Sequence, residues 1–176
     1  MLKKIERAQQ LLKKEAAVFR CPTCHEPMHL EGVGLICQQR HQFDLSKKGT
    51  LYFLNHSVQT EYNKKMFTSR GKMIQSGMYA PVLNKIMHYL PQNKTVVDVG
   101  CGEGSFLAEL SQAGLSGLKI GFDLSKEGIY LASNQPIDAF WCVADLTNLP
   151  FANEGLDTIL NIFSPSHYQE FRRVLK

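Results

Sequence analysis

The stretch Thr95–Phe106, T-V-V-D-V-G-C-G-E-G-S-F, leaves the chain few folds to choose from. Val96, Val97 and Val99 form the short β-branched run that suits a strand buried on both faces. Gly100, Gly102 and Gly104 end it; without Cβ atoms the backbone there turns sharply and approaches a ligand closely. Phe106, Leu107 and Leu110 then open a helix whose N-terminus faces that ligand. Strand, glycine turn and helix in this order predict an α/β fold with a parallel sheet. The spacing G-x-G-x-G, with Asp98 two positions before the first glycine, differs from the dinucleotide fingerprint G-x-G-x-x-G.

This turn resembles motif I of the S-adenosylmethionine-dependent methyltransferases, and the segments after it extend the resemblance. Leu118–Phe122 reads as a second strand ending on Asp123, where a carboxylate can accept ribose hydroxyls; that position alone suits NAD equally well. Ala139–Val143 reads as a third strand, and Asp145 with Leu146 resembles the pair that meets adenine in these enzymes. Leu156–Ile162 reads as a fourth, running into N-I-F-S-P. Many base-nitrogen methyltransferases carry an Asn/Asp-Pro-Pro-aromatic turn there, and Ser164-Pro165 stands in for the usual pair. The resemblance implies a cofactor site of Asp98, Gly100, Cys101, Gly102, Gly104, Asp123, Leu124, Asp145 and Leu146. Asn161, Ser164 and Pro165 are the substrate-positioning candidates, and no residue stands out as the general base.

Upstream the chemistry changes. Cys21-x-x-Cys24 is followed after twelve residues by Cys37-x-x-x-His41, so four ligands arrive as two closely spaced pairs, a spacing that suits a tetrahedral Zn²⁺ site. His25 and His29 compete with His41 for the fourth place, and His41 is preferred because the second pair otherwise lacks its partner. A redox C-x-x-C would need a βαβ context, which is absent. Cys101 and Cys142 fall in apolar strand contexts, as buried thiols do. Residues 41–54 alternate and then run apolar, as one ribbon strand should, with Phe43 and Tyr52 as anchors.

Charge is uneven. Residues 1–72 hold 13 Lys and Arg against 6 Asp and Glu, whereas 73–176 hold 7 against 10, so the basic end is the candidate polyanion surface. Lys3, Lys4, Lys13, Lys14, Arg40, Lys47 and Lys48, with Arg20, are the phosphate-contact candidates. Residues 2–18 have a helical period with basic residues opposite Leu2, Ile5, Leu12 and Ala16. Asn55–Asn63 is polar and aperiodic, a linker or mobile loop. From Lys64 a helix carries Met66, Phe67, Arg70, Met73 and Ile74, with Gly77 ending it and Pro81 starting another through Leu90. Such Met and aromatic stripes are usually core, though some of these side chains are placed to cover a cofactor.

The F-x-C-P-x-C knuckle, C-x-x-x-H-x-F-D, K-x-G, M-x-x-x-R, G-x-Y-x-P and D-V-G-C-G-E-G together resemble the 23S rRNA guanine-N1 methyltransferase family from Phe19 onward. That resemblance implies zinc on Cys21, Cys24, Cys37 and His41, S-adenosylmethionine in the second domain, and methyl transfer to guanine N1 in a hairpin of 23S rRNA that the zinc module helps recognise. The expected organisation is a basic helix (1–18), a zinc ribbon (19–54), a linker with helices (55–90) and a partial Rossmann-like doubly wound methyltransferase sheet (91–176). Its four strands should lie in the order 3-2-1-4, with the last strands of the family's sheet missing and the fourth an open edge. A truncated chain that keeps its zinc, binds cofactor weakly or not at all and does not methylate RNA at a useful rate, and a homodimer through that edge or the N-terminal region, are further expectations. No membrane-crossing run and no signal peptide is apparent, which places the protein in the cytoplasm. A zinc-containing RNA-binding module without catalysis and a small-molecule methyltransferase are the competing readings.

Overall fold

The computed structural model describes residues 2–176, and two sheets organise it. The chain begins with α1 (Lys4–Glu15), started by the Glu6 side chain accepting the Lys3 backbone N–H at 2.6 Å. Its apolar face buries Ala8 and Leu12, and a short 3₁₀ turn (Ala16–Val18) leads to Phe19, which is fully buried.

An antiparallel meander follows: β1 (Met28–Glu31), β2 (Gly34–Cys37) and β3 (Gln42–Asp44). The chain then does something that the sequence pattern did not reveal. Residues 41–54 are not one ribbon strand; after β3 a turn at Ser46–Gly49 redirects the chain, and β4 (Thr50–Tyr52) joins the large parallel sheet. A strand of three residues carries no information about which sheet will accept its hydrogen bonds.

Two helices come next, α2 (Lys64–Gln75), capped by Asn63 Oδ1 accepting from the Met66 N–H, and α3 (Ala80–Tyr89), with Pro81 in its first turn. Then follow β5 (Val96–Val99), α4 (Ser105–Gln112), β6 (Lys119–Asp123), α5 (Lys126–Ala132), β7 (Phe140–Val143), β8 (Thr158–Asn161) and α6 (Tyr168–Val174), with no helix between β7 and β8 among the described residues. The sheet order is β4-β7-β6-β5-β8, all parallel. The four expected strands therefore lie in the expected 3-2-1-4 order, and β4 adds a fifth beyond the third.

The edge at β8 is not bare at its start. Leu156 donates its N–H to the Val174 carbonyl (2.9 Å) and accepts from the Lys176 N–H (3.0 Å), while Arg173 ties α6 to the carbonyls of Leu149 and Phe151.

One core runs from the small sheet into the large one. Phe19 lies edge-on to Phe140 of β7 at 5.2 Å and against Phe53 and Phe151, while Phe43 of β3 meets Phe53 at 5.1 Å. The cysteine-bearing meander thus shares its apolar interior with the face of the parallel sheet. The opposite face buries Trp141, Phe106, Leu107 and Ile129 beneath α3, α4 and α5. No helix among the described residues is long and apolar enough to cross a membrane.

Candidate functional site

Two knuckles bring Cys21, Cys24, Cys37 and His41 together, their ligand atoms all within 4.8 Å of one another. Each closes through a residue in the left-handed region: His25 (φ +66°) donates its N–H to Cys21 O, and Arg40 (φ +65°) donates to Cys37 O, both at 2.9 Å. His25 therefore serves the turn, and His29 faces Glu31 at 3.7 Å; neither joins the cluster. Cys24 Sγ lies 3.5 Å from Cys37 Sγ, and His41 Nδ1 lies 3.6 and 3.4 Å from the sulfurs of Cys21 and Cys37. A tetrahedron with metal–sulfur bonds of about 2.3 Å has edges of about 3.7 Å, so a Cys₃His donor set of this size fits Zn²⁺. All five cysteines are free.

The second site is a cavity of about 700 Å³ at the C-terminal ends of β5, β6 and β7, where ligands of open parallel sheets bind. Of the expected cofactor residues, Gly100, Asp123, Leu124, Asp145 and Leu146 line it. Asp98, Cys101, Gly102 and Gly104 stand behind that lining. Cys101 is buried among apolar side chains, and burial pushes its thiol well up. Asp98 is 2 % exposed, with Oδ2 unpartnered among the described residues. Burial pushes its carboxyl up to about 7, with Asp123 and Glu103 adding to the shift and Arg70 opposing it. A buried polar atom without a partner, beneath a ligand-sized cavity, is what a bound cation would satisfy.

Asp123 holds the glycine turn. Its Oδ2 accepts the Gly102 N–H at 2.9 Å and its Oδ1 the Ser125 N–H at 2.7 Å; burial raises its pKa, and these bonds with Arg70 oppose that. Asp145 Oδ1 accepts both the N–H and the hydroxyl of Thr147 at 2.8 Å. In each carboxylate, lone pairs remain for a ligand.

The turn after β8 closes the other wall. Ser164 and Pro165 line the cavity; Asn161 does not, but its side chain bonds the Ser164 and Ser166 hydroxyls. Ser164 Oγ also lies 2.7 Å from the Val99 carbonyl. Between them Phe163 takes φ +56°, strained for a bulky residue, and its ring stays 76 % exposed against Tyr79 at 5.8 Å.

Arg70 and Met73, in the α2 stripe from which cofactor cover was expected, face the cavity. Sequence reasoning passed over the rest of this wall: Tyr79, Phe163 and the loop residues 59–62 also face it. The basic candidates divide similarly: Lys4 Nζ is spent on Ser133 O and Asn134 Oδ1, and Arg40 pairs with Glu31 at 3.3 Å. Lys48 lies 5.2 Å from the Tyr130 ring, while Arg20 Nε is buried without a partner among the described residues. Lys3, Lys13, Lys14 and Lys47 remain exposed.

Comparison with known proteins finds a family match for each of the two regions. The family described as "RlmA, N-terminal", a zinc ribbon, matches residues 19–56, and the methyltransferase domain family matches 96–176. YxjB of Bacillus subtilis, assigned as a 23S rRNA (guanine-N1)-methyltransferase, is 41% identical over 172 residues, covering 91% of this chain and 61% of that protein. The 23S rRNA (guanine(748)-N1)-methyltransferase of Streptomyces fradiae is 27% identical, covering 93% and 61%. The chain thus spans about three fifths of the length of these curated relatives. A solved methyltransferase from Aquifex aeolicus shares the fold at TM-score 0.53 and 19% identity, over 66% of this chain and 69% of that one.

Proposed function

We propose that the chain is a member of the 23S rRNA guanine-N1 methyltransferase family, carrying its zinc ribbon and its S-adenosylmethionine-dependent methyltransferase domain, and that it takes part in methyl transfer to guanine N1 of a 23S rRNA hairpin. The observation that carries this reading is the cavity itself, where the glycine turn and the turn after β8 meet at Gly100 and Ser164.

Bound there, S-adenosylmethionine supplies an electrophilic methyl group on a sulfonium. Asp145 accepts from the adenine amine and Leu146 covers the ring; Asp123 accepts from ribose hydroxyls; Asp98 takes the cationic amino group. Cys21, Cys24, Cys37 and His41 hold zinc and keep the N-terminal knuckles in one shape.

Guanine N1 lies on the Watson–Crick edge, so the base must leave its helix to be modified. Phe163 offers an exposed aromatic face for it, and a stacked base gains roughly 1–3 kcal/mol on such a platform. N1 must also lose its proton. Of the three carboxylates lining the cavity, Asp123 and Asp145 are hydrogen-bonded to backbone N–H groups, whereas Glu61 makes no hydrogen bond among the described residues. Glu61 is therefore the proton acceptor assigned here. RNA lies along the exposed lysines of α1 and the turn carrying Lys47.

The test is transfer of a labelled methyl group to a transcript of the 23S rRNA domain II hairpin, followed by nucleoside analysis. Label in 1-methylguanosine is expected. Label in small molecules alone, or cofactor and RNA binding with no transfer to any nucleoside, overturns the reading.

A further inference from the structure

Arg70 projects from α2, between the zinc-ribbon match at 19–56 and the methyltransferase-domain match at 96–176, yet it lies on the glycine turn. A Cβ built on Gly102 would meet Arg70 Nη1 at 3.2 Å and the Phe67 ring at 3.1 Å. The next residue, Gly71, comes so close that its own Cβ would meet Ser105 Oγ at 3.2 Å and Glu103 Cγ at 3.3 Å. Thus α2 is seated on the loop between β5 and α4, and Arg70 is delivered to a fixed place.

Three observations define that place. Arg70 is the one cation among the residues lining the cavity. Its guanidinium carbon lies 5.6 Å from the Phe106 centroid, so one face is held by an aromatic ring. It makes no hydrogen bond or ion pair within the protein among the described residues, although the buried carboxylate of Asp98 feels its charge. A guanidinium oriented by a ring and left with its donors free is prepared for a bidentate acceptor.

Resting on the cofactor reading above, we infer that Arg70 binds the carboxylate of the cofactor's amino-acid end, while Asp98 takes its ammonium. The pair matches a zwitterion: a cation whose donors are free lines the cavity over the glycine turn, and a carboxylate with an unpartnered oxygen is buried just before that turn. Arg70 thereby makes the site selective for ligands that keep the amino-acid moiety. S-adenosylhomocysteine has it, and 5′-methylthioadenosine keeps only the nucleoside and a thioether.

Calorimetric titration of the zinc-loaded chain with these two ligands tests the inference. The unaltered protein should bind S-adenosylhomocysteine at least ~30-fold more tightly than 5′-methylthioadenosine. Arg70→Met, which keeps an unbranched apolar side chain on α2, should lose ~10- to 100-fold in affinity for the former and less than about twofold for the latter. Arg70→Lys should fall between, because an ammonium cannot make the bidentate contact. Unchanged S-adenosylhomocysteine affinity in Arg70→Met overturns the inference. So does an equal loss for both ligands, which would mean that Arg70 only holds α2 on the turn. If the unaltered protein binds neither ligand, the cofactor reading itself falls, an outcome separable from the other two.

Discussion

Gly100 and Ser164 touch with no room for another atom: a Cβ on Gly100 would lie 2.6 Å from Ser164 Cβ. This contact joins the cofactor-side turn after β5 to the turn after β8, and Gly100 at φ +64° holds a conformation that L side chains resist. Gly100→Ala should cost roughly 1–2 kcal/mol for the backbone alone and about 1–3 kcal/mol more for the overlap. Adding Ser164→Gly should recover the second part but not the first. Denaturant unfolding of the single and double variants measures both; no recovery would show that the two turns move apart freely.

Zinc removal should unsettle the whole chain. A separable ribbon would predict that Cys37→Ser leaves the cofactor domain standing, but Phe19 and Phe53 join the knuckles to Phe140 of the parallel sheet. Structural zinc contributes on the order of 10 kcal/mol in small modules. Cys37→Ser should therefore lose the metal and lower Tm in one cooperative calorimetric transition. Two transitions, the upper one unmoved, would show that the core is divided after all.

Cofactor affinity should depend on pH through Asp98. Its folded pKa, pushed up to about 7, lies above the unfolded value, so the ligand-free protein holds a proton there that the unfolded chain has released. That contribution to stability is fully present below the unfolded pKa and is lost as pH rises toward 7. A bound ammonium needs the ionised form, so S-adenosylhomocysteine affinity should climb up to about tenfold per pH unit below 7 and level off above it. Asp98→Asn should flatten the profile; a flat profile in the unaltered protein would remove Asp98 from the site.

Arg173 should be a stability residue. Its guanidinium bonds Glu170 at 2.6 and 2.7 Å as well as the carbonyls of Leu149 and Phe151, and Glu170 Oε2 also accepts the Leu149 N–H. Burial alone would raise the Glu170 pKa, but the Arg173 and Leu149 bonds override it and hold the carboxyl low. Its contribution is thus present above the ordinary glutamate pKa and lost as pH falls through the lowered one. Arg173→Met should cost about 3 kcal/mol in urea unfolding near neutral pH, and less in acid. An equal cost at both pH values would show that the guanidinium acts by packing.

The lysines should separate into two classes. Lys4 is tied to the end of α5, so Lys4→Met should lower Tm. Lys13→Glu with Lys14→Glu should leave Tm unchanged, weaken RNA binding and reduce the log–log salt slope by about 0.7 to 0.9 per lost contact. If filter binding shows the same slope with and without these changes, RNA lies elsewhere.

The parts of this protein legible in its sequence are those set by local chemistry. Cys21, Cys24, Cys37 and His41 declare a metal site because ligand spacing is a property of short loops, and Val96–Gly104 declares a strand and turn because β-branching and missing Cβ atoms act within a few residues. The strand order was implied by the family resemblance that these motifs carry, and right-handed crossovers between parallel strands are consistent with it. Tertiary structure alone decided the rest. Thr50–Tyr52 is three residues long, and only the free edge of β7 determines that it pairs there rather than in the meander. Arg70, Tyr79 and Phe163 come from three separate segments and share a cavity because α2 and the turn after β8 pack onto the same glycine turn. No periodicity records such a meeting. It arises when apolar faces far apart in the chain are buried together, and their neighbours are carried into one place.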